Sequence, residues 1–290
     1  MNGIIIIDKP AGWTSHDVVA KLRGILKIKR IGHGGTLDPM ATGVLPIFIG
    51  RATRASEFCE NADKEYIAGL RLGLVTDTQD ICGNTLSVCE PSVSIKKLTE
   101  IISHFIGAQK QTPPMYSAVK IGGKKLYELA RRGVEVERPE RDIFISCIDL
   151  LESEENDFLL RIACSKGTYI RTLCHDIGAT LGCGGTMSSL RRIKAGVFTI
   201  DKAHTLDEII DAAQSEKIAS LALPIDTVLS EYQSVTLSDE HARKCKNGAL
   251  HKITGLQDGT YRFYGPDNEF LVLGELRSGN FRILKSFVTT

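Results

Sequence analysis

The chain has 290 residues, 42% hydrophobic and 24% charged, an ordinary globular composition in a length above the roughly 250 residues at which single cores usually divide. Its 36 basic and 35 acidic side chains leave a net charge of +1, so bulk charge does not mark a nucleic-acid binder and any affinity for polyanions must come from local patches. The apolar run Gly3 to Ile7 ends at Asp8 and Lys9, too short for a signal segment or for the ~20 residues of a membrane span, and the protein reads as soluble and unexported.

In chain order, Gly3 to Ile7 reads as a short buried strand. Thr14, Ser15 and Asp17 then offer N-caps for a helix with the apolar face Val18, Val19, Leu22, Ile25 and Leu26. From Ile31 to Pro46 periodicity gives way to Gly32, Gly34, Gly35, Pro39, Gly43 and Pro46, which predicts a long structured loop. Ala52 to Asn61 reads as a helix, and Lys64 to Leu72 alternates as a strand with Tyr66, Ala68, Leu70 and Leu72 on one face.

Ser94 caps a helix with Ile95, Leu98, Ile101, Ile102 and Phe105 at helical spacing, and Thr112-Pro113-Pro114 stops regular structure before Met115. Residues 106 to 133 read as a long connection with a helix at Lys125 to Arg132. Ile143 to Leu151 and Phe158 to Cys164 read as strands, followed by a helix capped near Thr168 and running to Leu181. Thr186 to Phe198 reads as another strand and Leu206 to Ala213 as a helix. Ile218 to Tyr232 reads as a hinge before a helix at Ser238 to Cys245 and a β-rich tail.

Strands and helices do not alternate as β-α-β units, so an α+β fold with a mixed, mainly antiparallel central sheet, flanked by helices and loops, is expected. The domains expected are 1–225 and a small β-rich unit at 233–290. The eight cysteines form no C-x-x-C pair, which favours reduced cytoplasmic thiols over structural zinc.

The candidate chemistry centres on Asp38, a carboxylate preceded by two glycines and followed by proline. An isolated Asp-Pro is ordinarily a turn, and three other features weigh against that reading here. Arg171 stands where a helix begins, although first turns favour acids, so it implies an anionic partner: a phosphate, a surface glutamate or a catalytic carboxylate. No P-loop, H-E-x-x-H, G-x-S-x-G or G-x-G-x-x-G pattern is present, so the chemistry calls for neither a nucleotide cofactor nor a metal. Lys120, Lys124, Lys125, Arg131 and Arg132 oppose only Glu128 and are interleaved with Tyr116 and Tyr127, a pattern suited to phosphates and bases as well as to a solvated helix face. Asp77 and Asp80 could supply a second acid for metal-free nucleoside hydrolysis, but their threonine-rich loop reads as structural.

Five segments in order, Asp8-Lys9-Pro10 with Gly12 and Thr14-Ser15, Gly32-His33-Gly34-Gly35-Thr36-Leu37-Asp38-Pro39 with Ala41-Thr42-Gly43, Thr76-Asp77-Thr78 with Asp80, Pro114-Met115-Tyr116-Ser117-Ala118 with Lys120, and Cys164 to Arg171, resemble the TruB family. These are bacterial tRNA pseudouridine synthases that act on uridine 55 of the T-loop. The resemblance implies Asp38 as the catalytic carboxylate, Tyr66 stacking on the flipped uracil, Arg171 pairing with Asp38, Leu190 as the floor of the uracil pocket, Tyr169 at the substrate, and His33 filling the gap left by the base. It implies Lys9 and Pro10 as supports of the loop, and a cofactor-free isomerase with a second role in assisting tRNA folding. It further implies a PUA-like RNA-binding tail on the acceptor-stem side. The basic run predicts a mobile RNA-gripping segment at 106–133, and a monomer is expected, with no protein partner implied and no membrane. Gly34 stands where many relatives carry threonine, which is expected to loosen the loop slightly. Arg171 is expected to lower the Asp38 pKa. A non-catalytic RNA-binding or RNA-folding protein is the competing reading.

Overall fold

A computed structural model describes residues 1–288. Thr14 caps α1 (Ser15–Leu26) through a reciprocal capping box with Asp17, as its T-S-x-D start predicts. The strands and helices before the middle of the chain are β1 (Gly3–Lys9), α1, β2 (Ile31–His33), β3 (Thr42–Ile49), α2 (Ser56–Asn61), β4 (Lys64–Leu72), β5 (Leu74–Thr76), β6 (Thr85–Val88) and α3 (Ile95–His104). They continue as β7 (Gly107–Gln111), β8 (Lys120–Ile121), β9 (Lys124–Lys125), α4 (Leu126–Ala130), β10 (Arg141–Glu154), β11 (Asp157–Cys164), α5 (Ile170–Thr180), β12 (Gly185–Ala195), β13 (Phe198–Thr199) and α6 (Leu206–Gln214). The tail contributes β14 (Gln233–Thr236), α7 (Asp239–Lys246), β15 (Gly259–Tyr264), β16 (Phe270–Arg277) and β17 (Asn280–Ser286).

The central sheet has the order β1-β3-β12-β4-β11-β10-β7, with β2 beside β3 and β13 beside β12. All its pairings are antiparallel except β12 with β3, so the mixed, mainly antiparallel α+β class holds. Ile4 to Ile7 form an unbroken apolar run because both faces of β1 are covered. Ile5 and Ile7 enter the core with α1, α3 and α5, and Ile4 and Ile6 enter a second core with Phe48, Ala52 and Phe198. The outer edge of β1 is closed by main-chain bridges from Ile4 to Leu223 and from Ile7 to His204.

Several expectations change. Half of the loop placed at 31–46 is sheet: β2 and β3 take its two ends, because Val44, Leu45, Ile47, Phe48 and Ile49 are fully buried against β1. The irregular backbone narrows to residues 34–41. The segment at 106–133 begins as β7, the edge strand paired with β10, so the chain leaves the sheet only after residue 111. Ile218 to Tyr232 is no open linker: it winds into two 3-10 turns, Val228 and Leu229 are buried, and Asp226 binds Arg262 and accepts from the Tyr264 hydroxyl.

The tail forms a four-stranded sheet, β14-β15-β16-β17, around its own core of Phe263, Leu271, Val272 and Phe281. Its Leu273 and Phe287 also join the second core of the large sheet. Lys285 pairs with Glu57 at 2.6 Å, and Arg51 and Arg54 donate to the carbonyls of Phe287 and Ser286. Among the described residues, no helix is long and apolar enough to cross a membrane.

Candidate active site

The turn that carries Asp38 is held from below. Lys9, fully buried, directs Nζ to the carbonyls of Pro10 (2.8 Å), Trp13 (2.6 Å) and Pro39 (3.2 Å), using the three donors of an ammonium. Burial pulls its pKa down to about 8, against the opposing pull of Asp38. Ser15 Oγ accepts from the amide of Leu37 at 2.9 Å and donates back to its carbonyl at 3.3 Å, and Gly12 donates to the carbonyl of Pro39. The loop is therefore fixed to the start of α1 on both sides of Asp38.

Gly34, expected to loosen this loop, does the opposite. Its amide donates to the carbonyl of Pro46, and a Cβ there would lie under 3 Å from Phe48 and from Cys59. Absence of a side chain lets the loop press onto the second core.

Arg171 is the second residue of α5. Its helix begins without a side-chain cap and without an acid in its first turn: Thr168, expected as the cap, bonds Ser165 instead, and Tyr169 occupies the N-cap position. The arginine is nearly enclosed, at 6% side-chain exposure, while Asp38 keeps 35%. Nε lies 3.0 Å from Asp38 Oδ2 and Nη2 3.3 Å from Oδ1, a two-point grip on the carboxylate. The remaining donors go to Asp80 Oδ2 (3.4 Å) and to the carbonyls of Thr78 (3.1 Å) and Tyr116 (2.8 Å).

Asp80 is the residue that sequence reasoning passed over as structural. It is buried, and its second oxygen accepts from Thr78 Oγ1 and the amide of Cys82. Its turn is also tied to α5 by Thr172 Oγ1 donating to Gln79 at 2.8 Å. The usable signal was the T-D-T-x-D spacing together with an arginine in need of an anion.

Two carboxylates sharing one guanidinium alter the electrostatics. Burial raises the Asp38 pKa above the ordinary carboxylate value; Arg171 and Lys9 oppose that rise and Asp80 adds to it. The net direction is upward, contrary to the lowering expected from Arg171 alone, because burial of the carboxylate outweighs the attraction of the guanidinium and Asp80 adds to the rise.

Tyr66 and Leu190 come from neighbouring strands of the same sheet. In the β4–β12 register Leu190 stands opposite Ala68 and Arg192 opposite Tyr66, which puts Leu190 diagonal to Tyr66 on one face. Both are buried. Burial pushes the Tyr66 phenol up, Arg192 opposes the shift, and the charge of Asp38 is near enough to add to it.

His33 and Tyr169 flank this centre. His33 ends β2, five positions before Asp38; its ring meets His16 edge-on at 5.3 Å, its buried Nδ1 has no hydrogen-bond partner, and burial takes its pKa down to about 4. Tyr169 sits two residues before Arg171, with both its amide and its carbonyl bonded to the Gln111 side chain at the end of β7.

An arginine-gripped carboxylate in a glycine-rich turn, beside a buried tyrosine and leucine, is accompanied by sequence likeness across the chain. Residues 23–170 match the TruB family pseudouridylate synthase N terminal domain, and residues 171–230 the tRNA pseudouridylate synthase B C-terminal domain. The chain belongs to the TruB family. It is 43% identical to tRNA pseudouridine synthase B of Clostridium kluyveri, over 99% of this chain and all of the relative. It is 48% identical to the protein of the same name from Alkaliphilus oremlandii, over 86% of this chain and 82% of that one. Among solved structures, a Cbf5-Nop10-Gar1 complex contains a chain that superposes with a TM-score of 0.77 at 28% identity, covering 99% of this chain and 85% of that chain. As a TruB family member the protein is a pseudouridylate synthase, an isomerase.

Proposed function

We propose that this enzyme isomerises uridine 55 in the T-loop of tRNA to pseudouridine, with Asp38 as the catalytic carboxylate. The observation that carries the reading is the two-point grip of Arg171 on a carboxylate that is still one-third open to solvent. The arginine orients the acid and the open side leaves it accessible to a nucleotide.

In the reaction the N1–C1′ bond breaks, a C5–C1′ bond forms and a proton passes from C5 to N1, with no net change in atoms or electrons. A stacked base cannot turn in this way, so the uridine is flipped out at a cost of a few kcal/mol, which phosphate contacts and stacking must offset. Asp38, ionised, attacks the flipped nucleotide or takes its proton. Tyr66 stacks on the uracil and Leu190 forms the floor beneath it. Tyr169 contacts the substrate from the start of α5, and His33, neutral at physiological pH, fills the gap in the RNA.

The domain division is 1–225 for catalysis and 233–290 as a PUA-like unit on the acceptor-stem side, where α7 carries Arg243, Lys244 and Lys246. The basic segment after β7 closes on RNA. The enzyme works as a single chain in the cytoplasm, and the same grip on the T-arm serves tRNA folding.

Release of tritium from a synthetic T-stem-loop labelled at C5 of the target uridine tests the reading. Wild type is expected to release it and Asp38→Asn to release none while binding RNA within a few-fold. Full activity in Asp38→Asn refutes the assigned role.

A further inference from the structure

Arg192 is a charged residue that the mechanism above does not use, and it is among the largest fully buried side chains of the protein, at 1% exposure. It lies in β12 with Tyr66 opposite it in β4 and Gly43 opposite it in β3. Its Nε donates to the carbonyl of Val44 at 2.7 Å, and Nη2 and Nη1 reach the carbonyls of Gly35 and Thr36 at 3.2 and 3.5 Å. Among the described residues it forms no ion pair with a carboxylate, unlike Arg171 and Arg191. Burying a cation without a counter-ion costs several kcal/mol, and a neutral donor could tether carbonyls at lower cost.

The surrounding backbone is shaped to this side chain. Gly43 has φ of 99°, and a Cβ there would collide with the backbone of Arg192 itself. Gly35, with φ of 111°, turns its carbonyl toward the guanidinium, and its missing Cβ would sit 3.7 Å from Nη1. Both glycines belong to the stretch that leads into and out of the Asp38 turn.

We infer that Arg192 is a positioning residue for the isomerisation, acting through Tyr66 on one side and through the Gly35–Thr36 backbone on the other, so that the tyrosine ring and the Asp38 carboxylate keep one fixed relation to the flipped base. The inference rests on the roles proposed above for Asp38 and Tyr66. Tyr66 stands directly opposite Arg192 in the β4–β12 register, and the guanidinium opposes the rise that burial imposes on the phenol. The same buried charge opposes protonation of Lys9 and His33, so one guanidinium acts on three groups around the loop. Arg171 thus sets the Asp38 carboxylate directly and Arg192 sets the backbone of its turn.

The test uses the full-length chain and the tritiated T-stem-loop, with Arg192→Lys, Arg192→Gln, Tyr66→Phe, the two double variants, and Asp38→Asn as a control. Single-turnover rate, RNA dissociation constant and melting temperature are measured for each. Expected are rate losses of about 10-fold for Lys and up to about 100-fold for Gln, the scale of a small misplacement of reacting groups, with RNA binding within a few-fold. The losses should combine with Tyr66→Phe to less than their product, as for residues that act through one another. Full activity in Arg192→Lys, losses that multiply independently with Tyr66→Phe, or losses that follow the folded fraction in every variant would each overturn the inference. An active Asp38→Asn would instead overturn the catalytic reading on which it rests.

Discussion

Arg171 Nε lies 3.0 Å from Asp38 Oδ2, and the same guanidinium lies 3.4 Å from Asp80 Oδ2. The pair is therefore a triad of two acids around one base. In the proposed mechanism Asp38 reacts as the anion, and its pKa is raised by burial and by Asp80, so activity should fall with acidity earlier than an ordinary carboxylate would allow. Asp80→Asn removes one raising charge and leaves Arg171 to Asp38 alone. Its acid limb is expected to move to lower pH while the maximal rate drops about 10- to 100-fold, since Asp80 also orders the turn beside α5. A pH series of single-turnover rates decides the point, and an acid limb that stays in place or moves upward refutes the shared-charge account.

The same raised pKa makes a statement about stability. The unfolded chain ionises Asp38 more readily than the folded one, so a penalty on the folded state grows as pH rises from the unfolded value of 3.8 and is complete above the raised folded pKa. Asp38→Asn removes that penalty, and Arg171 keeps Asp80 as its partner. The inactive variant is expected to melt at or above the wild-type temperature at neutral pH. A clearly lower melting temperature there would mean that the Asp38–Arg171 contact outweighs the desolvation of the acid.

His33 works in the opposite window. Its folded pKa of about 4 lies below the ordinary 6.5, so the unfolded chain takes up a proton first as pH falls between those values. That site destabilises the fold progressively across the window and is neutral above it. In His33→Gln the loss of stability from neutral pH to the middle of the window should be smaller than in wild type. Urea midpoints at the two pH values measure it; an unchanged difference would show that the ring is protonated freely in the folded protein.

The large elements were legible because their signals are local. The T-S-x-D start of α1 and the alternation of Tyr66, Ala68, Leu70 and Leu72 each depend on residues within one element. The ends of the loop at 31–46 were missed because β3 is buried on both faces, which erases alternation, and β2 is only three residues long, which leaves glycine and proline as the local cue. In the site, Asp38 was visible from its glycines and proline, and Arg171 from its unfavourable place on a helix. Asp80 and Arg192 were not, because what matters about each is a partner far along the chain, Arg171 at 91 residues for the first and the carbonyls of Thr36 and Gly35 at 156 and 157 residues for the second.

The contact of Gly34 with Cys59 ties the loop to the second core. Cys59 Sγ lies 3.4 Å from the Gly34 carbonyl, and a side chain at 34 would displace it and Phe48. Gly34→Thr is expected to cost about 1–3 kcal/mol, as overpacking usually does. Adding Cys59→Gly should restore part of that loss even though it destabilises the wild type. Chemical denaturation of the four proteins gives the coupling, and strictly additive losses would show that the loop moves away from α2 without resistance.

The basic segment after β7 meets the site where the Tyr116 carbonyl accepts from Arg171, and it displays Lys120, Lys124, Lys125, Arg131 and Arg132. Lys125 and Arg131 each lie 5.4 Å from the centre of the Tyr127 ring, so the aromatic side chain gathers two of the cations in the free protein. Cations that meet phosphates release counter-ions, and each such contact contributes roughly 0.7–0.9 to the slope of log K against log salt concentration. Replacing Lys120, Lys124, Arg131 and Arg132 with glutamine should therefore flatten the slope for a T-stem-loop by up to about 3, while the rate at saturating RNA stays within a few-fold because Arg171 keeps both acids. If the slope is unchanged, these charges form a solvated face and RNA is gripped elsewhere; if the slope holds and the rate falls, the segment acts on Arg171 through Tyr116 rather than on phosphate.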